Sequence, residues 1–177
     1  MPRMGQQPEP QAASATGVEV SLRELDESDR ELLIVATLDN MNWCGERFTR
    51  EQVIVDPAIS HYFTSWRSDR DLGLVAVDQT GHPLGAVWTC LFDGGDSGYG
   101  FVRDDVPELS IWVEAGHRSC GICLVLMSAL IERARSVGLA GISLSVEEGN
   151  PARKLYERSG FVSAGPEFDQ GTMVLWL

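Results

Sequence analysis

The chain has 177 residues, 44% hydrophobic and 23% charged, with 14 basic against 26 acidic side chains and a formal net charge of −12. That length favours one domain over two, no apolar run is long enough to cross a bilayer, and the acidic balance excludes a broad basic surface for nucleic acid or anionic lipid. A cationic partner is expected instead, and since Lys154 is the single lysine, any anion site must rely on arginine and backbone N–H groups.

Residues 1 to 17, "MPRMGQQPEPQAASATG", lack the charged and apolar regions of a secretory signal and read as a disordered tail. A cytoplasmic protein is the expectation. Cysteines at 44, 90, 120 and 123 are too scattered for a disulfide framework and are expected as free thiols. "VEVSLREL", residues 18 to 25, alternates apolar and polar positions as a half-buried strand does. Ser28 to Glu31 has capping-box spacing before "LLIVATL", which predicts a helix from about residue 29 to about 39. A further helix is expected to start at Thr49, or after Asp56, where Asp-Pro supplies a cap and a first-turn proline.

Residues 72 to 78 and 83 to 92 form a predicted hairpin turning at Thr80-Gly81, and Gly94, Gly95, Gly98 and Gly100 then mark a loop. "ELSIWV", 108 to 113, reads as a buried strand, and the apolar spacing from Ile122 to Ala134 as a helix that stops at Gly138. A strand "GISLSV", a short helix from Asn150-Pro151 to Gly160 and a last strand "GTMVLWL" complete the chain. Strands in a hairpin, then strands alternating with helices, predict a mixed sheet with helices packed on it, an α/β arrangement of α+β character.

The stretch "HRSCGIC", 117 to 123, admits two readings. Cys120 and Cys123 form a C-x-x-C pair at a helix start, where thioredoxin-like thiols occur. No other segment supports that order, and Cys44, Cys90, His61, His82 and His117 offer no second closely spaced pair for a structural zinc. The alternative is a phosphate grip. A strand ending at Val113, a turn and a helix beginning near Gly121 leave backbone N–H groups unpaired at the positive end of a helix dipole. Gly121 allows close approach, Ser119 and Cys120 are small, and Arg118 can add a charge-assisted contact.

Around this loop, from Glu108 to Gly165, the chain resembles the GNAT superfamily of acetyl-CoA-dependent N-acetyltransferases. The resemblance is carried by "ELSIWVEAGHRSCGIC", with Arg118 and Gly121 in register with an R-x-x-G-x-G/A loop, and by "SVEEGNPARKLYERSGF", with Asn150, Ala152 or Arg153, Leu155, Tyr156, Gly160 and Phe161 in a pattern ending L-Y-x-x-x-G-F. Cys123 departs from it by standing where glycine or alanine is usual. The resemblance implies a single GNAT domain over about 18 to 177, with a central, mostly antiparallel sheet of six to seven strands flanked by about four helices.

It also implies transfer of acetyl from acetyl-CoA, as co-substrate, to a primary amine of a small molecule or peptide. The site would be a V-shaped opening between the strands ending at Val113 and Val146. Backbone groups at Trp112 and Val113 would hold the pantetheine arm and polarise the thioester. Arg118, Ser119, Cys120, Gly121, Ile122 and Cys123 would take the pyrophosphate, and Asn150 would touch the cofactor or merely cap its helix. Tyr156 is the candidate acid for the departing thiolate. Glu108 is the first candidate base, ahead of Glu114 and Asp105. Trp43, Phe48, Tyr62 and Trp66 are expected to wall the acceptor side. A non-catalytic acyl-CoA-binding module and a C-x-x-C thiol oxidoreductase stand as alternatives, and the sequence leaves the oligomeric state open, a homodimer included.

Overall fold

The computed structural model describes residues 12–15 and 18–177. Eight strands form one sheet: β1 (Ala12–Ala15), β2 (Val18–Glu24), β3 (Gly73–Val77), β4 (Pro83–Cys90), β5 (Glu108–Val113), β6 (Gly141–Ser145), β7 (Val162–Ser163) and β8 (Thr172–Trp176). Five α-helices accompany them: α1 (Arg30–Met41), α2 (Arg50–Val55), α3 (Pro57–Thr64), α4 (Ile122–Ser136) and α5 (Arg153–Arg158). The strand order is β1-β2-β3-β4-β5-β6-β8-β7. Every neighbouring pair is antiparallel except β5 with β6. That one parallel pair follows from the chain path, because β5 and β6 are joined by a crossover through α4 rather than by a hairpin.

The mixed, mostly antiparallel architecture is the expected one, with three additions. Ala12–Ala15, within the segment read as a tail, pairs with β2, while residues 1–11, 16 and 17 lie outside the described residues. The two-residue β7 is too short to leave a periodic signal. Both proposed starts for the second helix are used: Thr49 caps α2 and Asp56 caps α3 with Pro57 in its first turn. The cap ahead of α1 is displaced from the expected one. Asp26 and Asp29 form a reciprocal box around a 3₁₀ turn over Glu27–Asp29, and α1 follows.

Helices cover both faces of the sheet, so its central strands bury residues of both parities: β4 is buried at seven consecutive positions, Leu84 to Cys90. On one face Leu126, Met127, Leu130 and Ala134 of α4 pack with Leu109, Ile111, Val113, Ile142 and Leu144, and Tyr156 and Phe161 close that end. On the other face Leu33 and Ala36 of α1, Val53 of α2 and Ile59, Tyr62 and Phe63 of α3 pack on Val75, Ala86, Trp88 and Trp112. No helix among the described residues is long and apolar enough to cross a membrane.

Candidate active site

The sheet splits at its parallel pair. β5 and β6 are in register only at Glu108↔Ser143, where the Ser143 N–H donates to the Pro107 carbonyl at 3.0 Å, and beyond that point the strands part. Alternation of the β4–β5 ladder fixes which backbone groups face the gap. The Glu114 N–H donates to Leu84 O at 2.9 Å, one step beyond the Gly85↔Val113 pair, so Trp112 exchanges bonds with Ala86 while the N–H groups of Ile111 and Val113 point away from β4 toward β6. Carbonyl contacts agree: Ile111 O accepts from Asn40 Nδ2 at 3.1 Å and Val113 O from Arg118 Nε at 3.4 Å. Of the two residues expected to hold the arm, Val113 turns its N–H into the gap and Trp112 turns its own toward β4. The Trp112 backbone belongs to the ladder and its indole donates to Asp39 Oδ2 at 2.8 Å, leaving Ile111 as the second backbone donor at the gap.

One end of the gap meets the start of α4. Ser119 (φ 66°) and Gly121 (φ 83°) both take left-handed backbone, turning the chain sharply before the helix. The first helical bonds run from Leu124 and Val125 to Gly121 O, so the N–H groups of Ile122 and Cys123 have no acceptor within the helix. These donors, at the positive end of a 15-residue helix and beside Arg118, fit a diphosphate. Cys120 and Cys123 are free thiols. Cys123 packs against the α4 side of the core, where burial pushes its pKa up, the opposite of an activated thiolate. No cluster of metal-ligating side chains is present among the described residues.

Across the gap, α5 brings Tyr156 into the same core, edge-on to Phe161. Burial, with the Cys123 thiol as the second cause, holds the phenol above its ordinary pKa, so it stays protonated. Asn150 behaves as a turn former: its Oδ1 accepts from the Ala152 N–H at 3.0 Å, one turn ahead of α5.

Glu108 stands at the point where the strands part. Alternation places it with Ser110 and Trp112 on the α1–α3 face, and it is 4% exposed. Its Oε1 accepts from the Tyr62 hydroxyl at 2.7 Å, while Oε2 has no partner among the described residues. Burial raises its pKa to about 7; the Tyr62 hydrogen bond and the nearby Gly100 N–H pull the other way. The weaker candidates lie elsewhere and are engaged: Glu114 with His82 and His117, Asp105 with Arg103, and both carboxyls are held below their usual range by these contacts.

The glycine-rich loop closes this side. A Cβ at Gly98 would lie 2.1 Å from Glu108 Oε2, and one at Gly100 2.4 Å from the Leu144 carbonyl carbon, so glycine is required for the loop to lie against both strands. Of the four aromatics expected as walls, Tyr62 lines this region directly. Trp66 is core and donates to Leu72 O, and Phe48 packs partly buried against that core. Trp43 bonds Glu147 Oε2 at 2.7 Å, just past β6. Sequence reasoning passed over Asn40 and Ile111 and weighed His61 only as a zinc ligand; the buried His61 places its Nδ1 2.8 Å from Asp96 Oδ1 of the glycine loop. For Ile111 a signal existed, since strand alternation alone separates 111 and 113 from 112.

Comparison with known proteins agrees with this fold. The family model described as "Acetyltransferase (GNAT) family" matches residues 35–161. The GNAT domain of S. lividans PAT superposes with a TM-score of 0.69 at 18% identity, covering 97% of this chain and all of that one. A GCN5-related N-acetyltransferase from Kribbella flavida gives 0.62 at 21% identity over 89% and 98% of the two chains. A GNAT acetyltransferase from Brucella melitensis, solved in complex with acetyl-CoA, gives 0.60 at 16% identity over 89% and 88%. At these identities the likeness is one of fold. No curated protein sequence matches the chain.

Proposed function

Since the chain belongs to the GNAT acetyltransferase family, we propose that it moves an acetyl group from acetyl-CoA to a primary amine that enters as a cation. The observation that carries this reading is the gap itself. It has inward N–H donors at Ile111 and Val113, a bare helix start at one end, and, where the strands part, the buried carboxyl of Glu108, one oxygen of which has no hydrogen-bond partner among the described residues.

Acetyl-CoA supplies the acetyl as a thioester, and the amine nitrogen replaces sulfur on the carbonyl carbon. Ile122, Cys123 and Arg118 hold the diphosphate, and the Ile111 and Val113 N–H groups orient the arm and its carbonyl, work done by proximity and aimed dipoles. Glu108 Oε2 accepts one proton from the ammonium and frees the nitrogen lone pair. Tyr156 gives its proton to the sulfur as the C–S bond breaks, and the nitrogen's second proton restores it. Glu108 returns its own proton to solvent. The low pKa of a thiol limits what Tyr156 contributes, so its removal costs less than removal of Glu108.

The test is calorimetric titration with acetyl-CoA followed by turnover against a panel of amines. Micromolar binding, about 7 to 8 kcal/mol, and thiol release with an amine are expected, with Tyr156→Phe lowering kcat roughly tenfold and leaving the affinity for acetyl-CoA unchanged. Binding without turnover for any amine would instead make this an acyl-CoA-binding module.

A further inference from the structure

We propose that Tyr62 is a positioning residue for Glu108, holding one carboxylate oxygen so that the other is the oxygen that takes the amine's proton. The proposal rests on the assignment of Glu108 as base.

The geometry assigns each hydrogen. The Tyr99 N–H, from the glycine loop, donates to the Tyr62 hydroxyl oxygen at 2.8 Å. With that lone pair engaged, the phenol's only proton is directed at Glu108 Oε1, 2.7 Å away. The phenol has no route to losing that proton itself, because burial and the adjacent carboxylate push its pKa well above the ordinary value. Glu108 Oε1 is therefore a satisfied acceptor and Oε2 the unsatisfied one.

Tyr62 is itself held fast. Phe92 meets its ring edge-on at 5.2 Å, and its carbonyl takes the Trp88 indole N–H at 2.9 Å and the Cys90 thiol. Gly98 lies so close that a Cβ there would be 2.7 Å from the hydroxyl. Seating of the loop and orientation of the base are thus one event.

Among the described residues, the groups facing Glu108 are few. From α3 it meets Tyr62; from the loop, Tyr99 and the Gly100 N–H; from β4, the buried Cys90 thiol, whose pKa is raised by burial first and then by the Asp71 and Glu108 carboxyls; from β6, the unpaired Ser143 hydroxyl. None is a cation. The Tyr62 hydroxyl is the main group favouring ionised Glu108, so its removal should leave burial less opposed.

The experiment uses the full chain labelled with [13Cδ]glutamate, the Glu108 signal being assigned with Glu108→Gln. Its titration is followed in wild type and Tyr62→Phe beside the pH dependence of kcat/KM. Loss of a hydrogen bond to a charged acceptor should raise the Glu108 midpoint by about one pH unit. The ascending limb of kcat/KM should move up with it. Activity at pH 7 should fall about fivefold and recover above the new limb. A structural role alone would lower activity at every pH and leave the limb in place, which would overturn the proposal. So would a Glu108 midpoint that does not move, or one that moves while the limb stays. If no amine is acetylated, the proposed function fails on turnover, and the carboxyl midpoint still decides whether Tyr62 holds Glu108. Should Tyr62→Phe not fold, 3-fluorotyrosine, a stronger donor, must lower the midpoint instead.

Discussion

A carboxyl buried without a cation is costly to ionise, and Glu108 is kept in that condition by Gly98 and the sheet around it, with the Tyr62 hydroxyl offsetting part of the cost. Its pKa rises from 4.5 to about 7 on folding, so between those values the folded protein binds a proton that the unfolded chain has released. Stability from this group is full below pH 4.5 and is lost as pH climbs through 7. Glu108→Gln removes the dependence and keeps an acceptor for the Tyr62 hydroxyl. The variant should gain up to about 3 kcal/mol over wild type between pH 5 and pH 8, seen as a Tm difference several degrees larger at pH 8. Turnover should fall by roughly two to four orders of magnitude. On the proposed function, stability and activity would trade at one atom, Oε2. The residue was legible as a carboxylate at the head of a strand. Its partner was not, because Tyr62 lies 46 positions away and meets it only once α3 is docked on the sheet.

At the scale of elements, the turn into α4 carries two burdens, reversing the chain and presenting donors. Gly121 at φ 83° does the first at no steric cost; Gly121→Ala should lose about 1 kcal/mol of stability and weaken acetyl-CoA binding about tenfold, read by calorimetry. Cys123→Ala should behave differently. The thiol packs beside Tyr156, so its loss should cost about 1 kcal/mol of stability while affinity stays within threefold. Most elements here could be read from periodicity and punctuation, since α4 shows its apolar repeat and the hairpin its Thr80-Gly81 turn. Cap details could not, because Asp26, Ser28 and Asp29 all suit the role and backbone geometry chooses among them.

At the scale of the molecule, a sheet split between two strands needs something to set the width of the split. The C-terminal end of α1 and the loop after it span the gap on the α1–α3 face: Asn40 Nδ2 holds Ile111 O on β5, while Trp43 Nε1 and Arg47 hold Glu147 just beyond β6. The opposite face is left to the start of α4. On the proposed function, acceptor and co-substrate would meet in this gap, held together as direct transfer requires. The clamp at Glu147 is half-exposed, its side chain at 51% and that of Arg47 at 35%, so it should contribute little to global stability. Glu147→Ala should therefore lower stability by less than about 1 kcal/mol. Amide exchange across 42–48 should quicken, and the amine KM should rise several-fold with acetyl-CoA affinity unchanged. Raising the salt concentration should raise the wild-type KM more than the variant's, since screening weakens the attraction for the cationic amine in both proteins and the Arg47–Glu147 pair in the wild type alone. Equal salt responses in the two proteins would show that the gap is set by packing alone.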